Sequence, residues 1–225
     1  MQQPFFEFAS LDTEIRRKLE SMKVPSGELF AALVRTARAD GLDDDGGRRI
    51  AELFVALCEK FDAAAEKPTL NHAIRVAATW WNISGRRSYE TLAFGLCHNI
   101  RENGGNSLKN IEAAFLSSNS REMIGLLTID REREQDLSYL SSYYDAVEQA
   151  SGDLLVFKGL DKLDNFLSYA IYDLDPYYFM VLDDFVTPRL MRKHAKLAVY
   201  LQNVADRVRT NDAKTTYRSL EATAP

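Results

Sequence analysis

Apolar residues recur at three- and four-residue spacing through most of the chain, and this spacing places them on one face of a helix. Only 11 glycines and 6 prolines are present among the 225 residues, and several of them separate the apolar runs. The breaks that they predict are at Pro25, Gly41, Gly85, Gly104 and Pro176. The pattern therefore predicts an all-α fold.

Three helices are predicted in the N-terminal part of the chain. The first begins after Ser10, whose hydroxyl can accept a hydrogen bond from a backbone N–H at a helix start. The second runs from Gly27 to Asp40, and the third follows the aspartate run 43–45. We interpret this run as a helix cap, because a calcium loop would need alternating ligands and a closing glutamate.

The central region contains two helices whose buried faces end in polar residues. The segment from Pro68 to Trp81 is predicted to be a buried helix that closes at Gly85. The segment from Ser88 to Gly104 is predicted to be a single helix, which is apolar from Leu92 to Cys97 and polar from His98 onward. Further helices are predicted at about 107–117, 119–127, 131–151 and 151–172, with a long terminal helix after Pro188.

The chain has no internal repeat and no low-complexity linker, so one domain is expected. Residues 1–65 are then a helical extension of that domain, residues 66–211 its main body, and residues 212–225 a flexible tail.

Three residues that can bind metal ions lie at the polar ends of predicted buried helices. These are His72, His98 and Asp161, in the segments HAIRVA, FGLCHNIREN and KGLDKLDN. A single histidine on an apolar helix is more often a hydrogen-bonded core residue than a ligand. The order and the flanking residues of the three segments carry more information than any one of them.

These three segments resemble the motifs of the HD superfamily of metal-dependent phosphohydrolases, and within it the RelA/SpoT-type guanosine tetraphosphate hydrolases. There a helix with HP..VA is followed by a helix with AALLHDvvED and later by KLADRLHN. The resemblance covers roughly residues 66–175 and implies an HD-domain helical bundle. In the third segment, Asp161 matches the ligand aspartate, Lys158 the preceding lysine and Asn165 the closing asparagine.

The resemblance implies a metal site formed by His72, His98, the residue at position 99 and Asp161, with Mn²⁺ as the expected ion. The family aspartate at position 99 is replaced here by Asn99, which supplies an oxygen but no negative charge. We therefore expect the ion to bind weakly or not at all.

A second amide lies in the same segment, where Asn103 replaces the acidic partner of Glu102. In the tetraphosphate hydrolases, that acidic pair positions the attacking water or assists proton transfer. An amide can orient water but cannot take up a proton near neutral pH. Glu102 is therefore the remaining candidate base, and its alternative role is a solvated carboxylate paired with Arg101 or Lys109.

Five basic residues are predicted to ring the same cleft and to meet substrate phosphates, although each alone is more often solvated or salt-bridged. They are Lys67, Arg75, Arg101, Lys158 and Lys162. The expected ligand is a nucleotide or another phosphorylated small molecule. A set of tyrosines, including Tyr139, Tyr143 and Tyr144, could stack a base, but packing in the core is the favoured interpretation.

The composition of the chain limits the kinds of partner and the cellular compartment that we expect for it. A net charge of −5 argues against binding to duplex nucleic acid, and no run of about 20 apolar residues is available to cross a membrane. The N-terminal residues lack a basic segment followed by an apolar run, so a cytoplasmic protein is expected. Cys58 and Cys97 lie in apolar helical patterns and are predicted to be small buried side chains in a reducing compartment.

Two functions therefore stay open at the level of sequence. One is an active HD-type phosphohydrolase that acts on a nucleotide or alarmone, and the other is a catalytically inactive HD fold that binds or regulates. A helical interaction protein unrelated to HD enzymes is the third alternative. Self-association or a protein partner is compatible with each of them.

Overall fold

The computed structural model describes the backbone of residues 5–62, 67–104, 109–169 and 176–210. It describes their side chains except at residues 61, 62, 67, 68, 103, 104 and 169. All regular secondary structure in these residues is helical, which confirms the all-α prediction. Within them, no helix combines the length and the apolarity that crossing a membrane requires.

The helices follow the predicted order. In chain order they are α1 (Leu11–Lys23), α2 (Ser26–Ala39), α3 (Asp44–Asp62), α4 (Lys67–Ser84), α5 (Tyr89–Cys97), α6 (Ile100–Gly104), α7 (Lys109–Phe115), α8 (Ser118–Leu127), α9 (Leu137–Ala150), α10 (Gly152–Tyr169), α11 (Pro176–Val181), α12 (Thr187–Lys193) and α13 (Ala195–Arg209). A π-helical turn, Leu182–Val186, lies between α11 and α12.

The chain divides into two compact units. One comprises Met1–Phe5 and Ser21–Ile129, and the other comprises Phe6–Glu20 and Asp130–Pro225. The predicted boundary between residues 65 and 66 falls inside the first unit, where α2 and α3 pack against α4. The predicted tail, residues 212–225, lies outside the described residues.

Local side-chain chemistry fixes several helix ends as predicted. The backbone N–H of Thr13 donates to the Ser10 hydroxyl, and the N–H of Gly46 donates to the Asp43 carboxylate at 2.7 Å. The aspartate run is therefore a helix start, as the cap interpretation requires. Gly41 and Gly85 have φ angles of 109° and 66°, a left-handed conformation that glycine adopts without steric cost.

The predicted single helix from Ser88 to Gly104 is interrupted at His98 and Asn99, where α5 ends and α6 follows. The His98 Nδ1 atom lies 2.7 Å from the carbonyl oxygen of Gly95. That oxygen is the acceptor that the N–H of Asn99 would use in a continuous helix. The side chain competes with the backbone for it, and the helix breaks there.

The predicted long terminal helix is also interrupted, at His194. This residue is half-buried and caps α13, because its Nδ1 atom accepts a hydrogen bond from the Leu197 N–H at 3.1 Å.

The π-helical turn before α12 has a separate cause. Pro188 has no N–H that could donate to a carbonyl oxygen one turn earlier in the helix. The Arg189 Nη1 atom donates instead to the Phe185 carbonyl oxygen at 3.0 Å.

In the first unit, α4 and α5 cross closely at a glycine. An added Cβ at Gly95 would lie 2.6 Å from the Ala77 Cα atom and 2.7 Å from its Cβ atom. Only a residue without a side chain permits this approach of two helix backbones. The crossing matters for the site described below, because α4 carries His72 and α5 ends next to His98.

We expect Gly95→Ala to lower the free energy of unfolding by about 1–3 kcal/mol, because the added methyl meets backbone atoms of Ala77. Gly27→Ala is the matched control, since a Cβ at this helical glycine would meet nothing within 4 Å. The control should be neutral or stabilising by up to about 1 kcal/mol. Urea unfolding measures both, and equal effects would contradict the close crossing.

Candidate functional site

Two buried imidazoles face each other in the first unit. The Nε2 atoms of His72 and His98 are 3.3 Å apart, and the ring centroids are 5.2 Å apart. Their exposed fractions are 9% and 3%. Two of the three histidines of the chain, 26 residues apart in sequence, thus present nitrogen atoms to the same point.

The hydrogen bond of His98 determines which of its nitrogens carries the proton. A carbonyl oxygen can only accept, so Nδ1 donates its proton to Gly95. The Nε2 atom of a neutral His98 ring then has a lone pair directed at His72. A histidine that ligates a metal usually donates its other ring N–H in this way, which fixes the ring and its tautomer.

The spacing of the two nitrogens suits a shared ion. Imidazole nitrogens bind zinc at about 2.0–2.1 Å, and two ligands at right or tetrahedral angles are then roughly 2.8–3.4 Å apart. The observed 3.3 Å lies within this interval. The distance between the two nitrogens is therefore compatible with a shared divalent ion, and also with a direct hydrogen bond between the two rings.

In the second unit, α10 carries a buried cluster around Asp161. The Lys158 Nζ atom is 3.2 Å from Asp161 Oδ2, and Asn165 Nδ2 donates to Asp161 Oδ1 at 3.3 Å. Lys158 is 5% exposed and Asp161 is 3% exposed. The three residues that carry the third motif therefore form one contiguous group on one helix. Each carboxylate oxygen can accept more than one bond, so neither of these contacts by itself prevents Asp161 from acting as a ligand.

The residues that follow His98 have different surroundings. Asn99 is half-buried in the turn between α5 and α6. Glu102, in α6, is half-buried, and its Oε1 atom accepts a hydrogen bond from the backbone N–H of Ile129 at 3.3 Å. The side chain of Asn103 lies outside the described residues. The roles of Asn99, Glu102 and Asn103 in catalysis stay predictions.

Arg101 lies in an ion pair that the sequence did not predict. Its Nε and Nη2 atoms donate to the buried carboxylate of Glu112 at 2.9 Å each, and Nη2 also donates to the Arg121 carbonyl. This bonding raises the pKa of the Arg101 guanidinium. It also gives Arg101 a structural task, holding α6 to α7 and α8, that competes with the predicted contact to phosphate.

The other predicted phosphate contacts have separate positions. Arg75 is buried on α4, three residues after His72. Lys162 is half-buried, and its Nζ atom lies 5.8 Å from the centre of the Tyr178 ring. Lys67 begins α4, but its side chain is outside the described residues. Phosphate binding by these residues remains a prediction.

The tyrosines at the centre of α9 pack in the core, as the favoured interpretation predicts. Tyr143 and Tyr144 are buried, and their rings meet edge to face with centroids 4.9 Å apart. The sequence assigned Tyr144 to packing, with base stacking as the alternative, and neither role uses its hydroxyl, which has no hydrogen-bond partner in the described part of the chain. A tyrosine in place of phenylalanine at a core position was the only signal of this group in the sequence.

Neither cysteine forms a disulfide. Cys97 is buried, as predicted, and burial raises the pKa of its thiol, with the carboxylates of Glu112 and Glu90 acting in the same direction. Cys58 is half-buried. A thiol as protonated as Cys97 is a poor nucleophile, which agrees with a packing role.

Comparison with known proteins finds no family model that matches this chain, and no matching curated protein or solved structure.

Proposed function

We propose that this chain is a metal-dependent phosphohydrolase of the HD type, which holds one divalent ion with His72, His98 and Asp161. The proposed substrate is a nucleotide or another phosphorylated small molecule. The observation that carries the proposal is the pair of buried imidazoles, whose Nε2 atoms lie 3.3 Å apart while one ring is oriented by the Gly95 carbonyl.

The ligand set explains which ion is expected. Two imidazoles and one carboxylate suit Zn²⁺, Fe²⁺ and Mn²⁺, with positions left for water or substrate. The carbonyl oxygen of Asn99 would add a neutral ligand, so the set carries one negative charge where an intact HD site carries two. A bound divalent ion would polarise a phosphoryl oxygen and lower the pKa of a coordinated water.

The side chains of this protein have distinct tasks in the proposal. Glu102 takes up a proton from the attacking water, since this carboxylate, four residues after His98, is the only predicted base in the second motif. Arg75 and Lys158 meet the negative charge of the phosphate. Arg101 contributes less, because Glu112 already holds its guanidinium.

A second candidate function is binding without hydrolysis. Its support is that Asn99 carries no charge and that the Glu102 carboxylate accepts a hydrogen bond from the Ile129 N–H. In this case the cleft would bind a phosphorylated ligand and leave it intact.

Titration of the protein with Mn²⁺ tests the metal site directly. We expect His72→Gln and His98→Gln each to weaken Mn²⁺ binding at least about tenfold, because each removes one of three strong ligands. Asn99→Asp should strengthen binding, because it restores a negative charge next to the ion. Isothermal calorimetry measures the affinities.

The third histidine provides the matched control. His194 caps α13, so His194→Asn keeps a capping side chain and should leave Mn²⁺ affinity unchanged. A wild-type protein that binds no divalent ion would contradict the proposed function. Equal affinity of wild type and Asn99→Asp would show only that position 99 is not a ligand.

A further inference from the structure

The proposed base, Glu102, lies on a helix that is too short to be stable by itself. Helix α6 comprises five residues, Ile100–Gly104. Forming the first turn of a helix costs more conformational entropy than its hydrogen bonds return, so an isolated turn does not persist in water. The direction in which the Glu102 side chain points must therefore be set by contacts between α6 and its neighbours in the first unit.

The arginine that precedes Glu102 makes strong contacts of this kind. The Arg101 guanidinium donates to the Glu112 carboxylate, with Nε–Oε1 and Nη2–Oε2 distances of 2.9 Å each. Its Nη2 atom also donates to the Arg121 carbonyl oxygen at 3.0 Å. Its Nη1 atom lies against α8 at Gly125, where an added Cβ would be only 2.7 Å away. Each nitrogen of the guanidinium thus has a neighbour on α7 or α8.

Glu112 is the more firmly held member of the ion pair. Its side chain is 5% exposed, whereas that of Arg101 is 37% exposed. Glu112 lies on α7, which packs against α3. A buried carboxylate needs a cation and hydrogen bonds to offset its desolvation, and two-pronged pairing with arginine is a strong form of that contact. We therefore expect Glu112 to determine where the Arg101 guanidinium lies.

The other contact that holds this part of α6 is made by Glu102 itself. Its Oε1 atom accepts a hydrogen bond from the Ile129 N–H at 3.3 Å, which is slightly longer than the usual range. Consecutive side chains of a helix are about 100° apart around its axis. A fixed Arg101 therefore also fixes the direction in which the Glu102 side chain leaves the helix.

We propose that Glu112 is a positioning residue of the hydrolysis: through Arg101 it holds α6, and so keeps the Glu102 carboxylate where it takes up a proton. This inference rests on the proposed function. It gives Arg101 a task other than phosphate binding, because the guanidinium links a buried anion to the helix that carries the base. Misplacing a group by about 1 Å can cost a hundredfold in rate, so the loss of this anchor should be measurable.

Glu112→Gln tests the anchor, because glutamine keeps the length of the side chain and one acceptor oxygen but loses the charge. Hydrogen exchange of the Ile129 amide, measured by NMR, reports how firmly the Glu102 carboxylate is held. The reference is the amide of Thr128, which donates to the Ile124 carbonyl oxygen of α8 at 3.0 Å. In the variant, the Ile129 amide should exchange about two- to tenfold faster relative to this reference, the worth of one hydrogen bond.

The kinetic expectation separates positioning from a general loss of structure. With Mn²⁺ and a nucleotide substrate, kcat of Glu112→Gln should fall about ten- to a hundredfold, because the base is displaced. KM should stay unchanged or fall, because Arg101 loses its charged partner and becomes able to meet phosphate. The affinity for Mn²⁺ should not change, since the Gly95 carbonyl orients His98 independently of α6. A site that is only destabilised would raise KM and weaken Mn²⁺ binding.

Gly125→Ala is a second variant that leaves both charges of the ion pair in place. The new Cβ would lie 2.7 Å from Arg101 Nη1, so the guanidinium must shift. Alanine is a better helix former than glycine, so this variant should fold even if Glu112→Gln does not. It should raise the same exchange ratio and lower kcat, by less than the loss of the Glu112 charge does.

Glu90→Gln is the matched control. Glu90 is a half-buried carboxylate that accepts from the Ser117 and Ser120 hydroxyls, and it ties α5 rather than α6 to the start of α8. This variant should leave the exchange ratio and kcat unchanged, whatever its effect on stability.

Two results would overturn the inference. Equal acceleration of the Ile129 and Thr128 amides in Glu112→Gln would show that the end of α8 has loosened as a whole. Unchanged kcat in folded Glu112→Gln would show that the ion pair does not position the base, and only the role of Glu112 would then be wrong. If wild type hydrolyses no nucleotide, the proposed hydrolysis itself fails, and the inference fails with it whatever the exchange ratio is.

Discussion

Lys158→Met should destabilise the metal-free protein by about 3–5 kcal/mol, the cost of leaving one member of a buried ion pair without its partner. Lys158 and Asp161 are both almost fully buried, and their charged atoms are 3.2 Å apart. Methionine keeps most of the aliphatic volume, so the main change is the loss of positive charge. Asn165 also donates to Asp161, but its amide carries no charge that could replace the ammonium.

Mn²⁺ should reverse much of this loss if Asp161 is a metal ligand. The ion then supplies the positive charge that the variant lacks, and a ligand that binds only the folded state stabilises it by mass action. Lys158→Met should also bind Mn²⁺ more tightly than wild type, because no ammonium competes for the carboxylate. Denaturant unfolding in EDTA and in excess Mn²⁺ measures both effects.

Lys193→Met is the control, since Lys193 is exposed at the end of α12 and its loss should change stability by no more than about 0.5 kcal/mol. If Lys158→Met is destabilised equally with and without Mn²⁺, Asp161 does not bind the ion. The metal site would then have to be completed by other residues than those of α10.

The sequence predicted most accurately those features that depend on neighbouring residues. The Ser10 and Asp43 caps and the positive φ angles at Gly41 and Gly85 all follow from local backbone chemistry. The all-α fold follows from hydrophobic spacing in the same way. The i,i+3 spacing of Lys158 and Asp161 likewise places their side chains on one face of α10, where they form an ion pair.

The features that the sequence missed depend on side chains from distant positions or on competition with the backbone. The break after α5 arises because the His98 ring bonds the Gly95 carbonyl, and helical spacing alone cannot reveal this. The pairing of Arg101 with Glu112 joins two helices across 11 residues of sequence. Arg101 was therefore assigned to phosphate without any sign that its guanidinium has a partner within the fold.

The site itself was predicted in part. His72 and His98 were chosen from motif order, and the structure brings their Nε2 atoms together. The orientation of His98 and the missing partner of the Tyr144 hydroxyl needed coordinates, because hydrogen-bond partners are set by tertiary packing. Residue type thus indicated the candidate ligands, whereas the Gly95 carbonyl that orients the His98 ring became visible only in the fold.

Glu102→Gln should lower the rate of hydrolysis by about 10²–10⁴-fold if Glu102 is the general base, while the affinity for the ligand stays nearly unchanged. Glutamine retains a side-chain oxygen that can accept from the Ile129 N–H, so the local structure should survive. Only the capacity to take up a proton is lost. Steady-state hydrolysis of guanosine tetraphosphate and of nucleoside triphosphates with Mn²⁺ measures the effect.

Glu122→Gln is the matched control, because Glu122 is an exposed glutamate on α8 and its neutralisation should leave the rate unchanged.

If wild type binds these nucleotides in the presence of Mn²⁺ but hydrolyses none of them, the second candidate function is favoured. Binding should then depend on Arg75 and Lys158, with single alanine changes weakening it roughly ten- to a hundredfold. Arg101→Ala should weaken it less and should lower stability, because it leaves Glu112 buried without its cation.

The double change of Asn99 and Asn103 to aspartate decides between a decayed enzyme and a domain that only binds. If the proposed resemblance to the HD motif holds, it restores the acidic residues that the motif carries at both positions, and with them a negative charge for an ion and a second proton acceptor next to Glu102. In an otherwise intact site, these two carboxylates should produce or increase Mn²⁺-dependent hydrolysis, again by about 10²-fold or more. Circular dichroism tests whether the double variant is folded, and Mn²⁺ calorimetry tests whether it binds the ion. A folded, metal-bound and inert double variant would contradict descent of this cleft from a hydrolase that used the same chemistry, because every group which that chemistry needs would then be present.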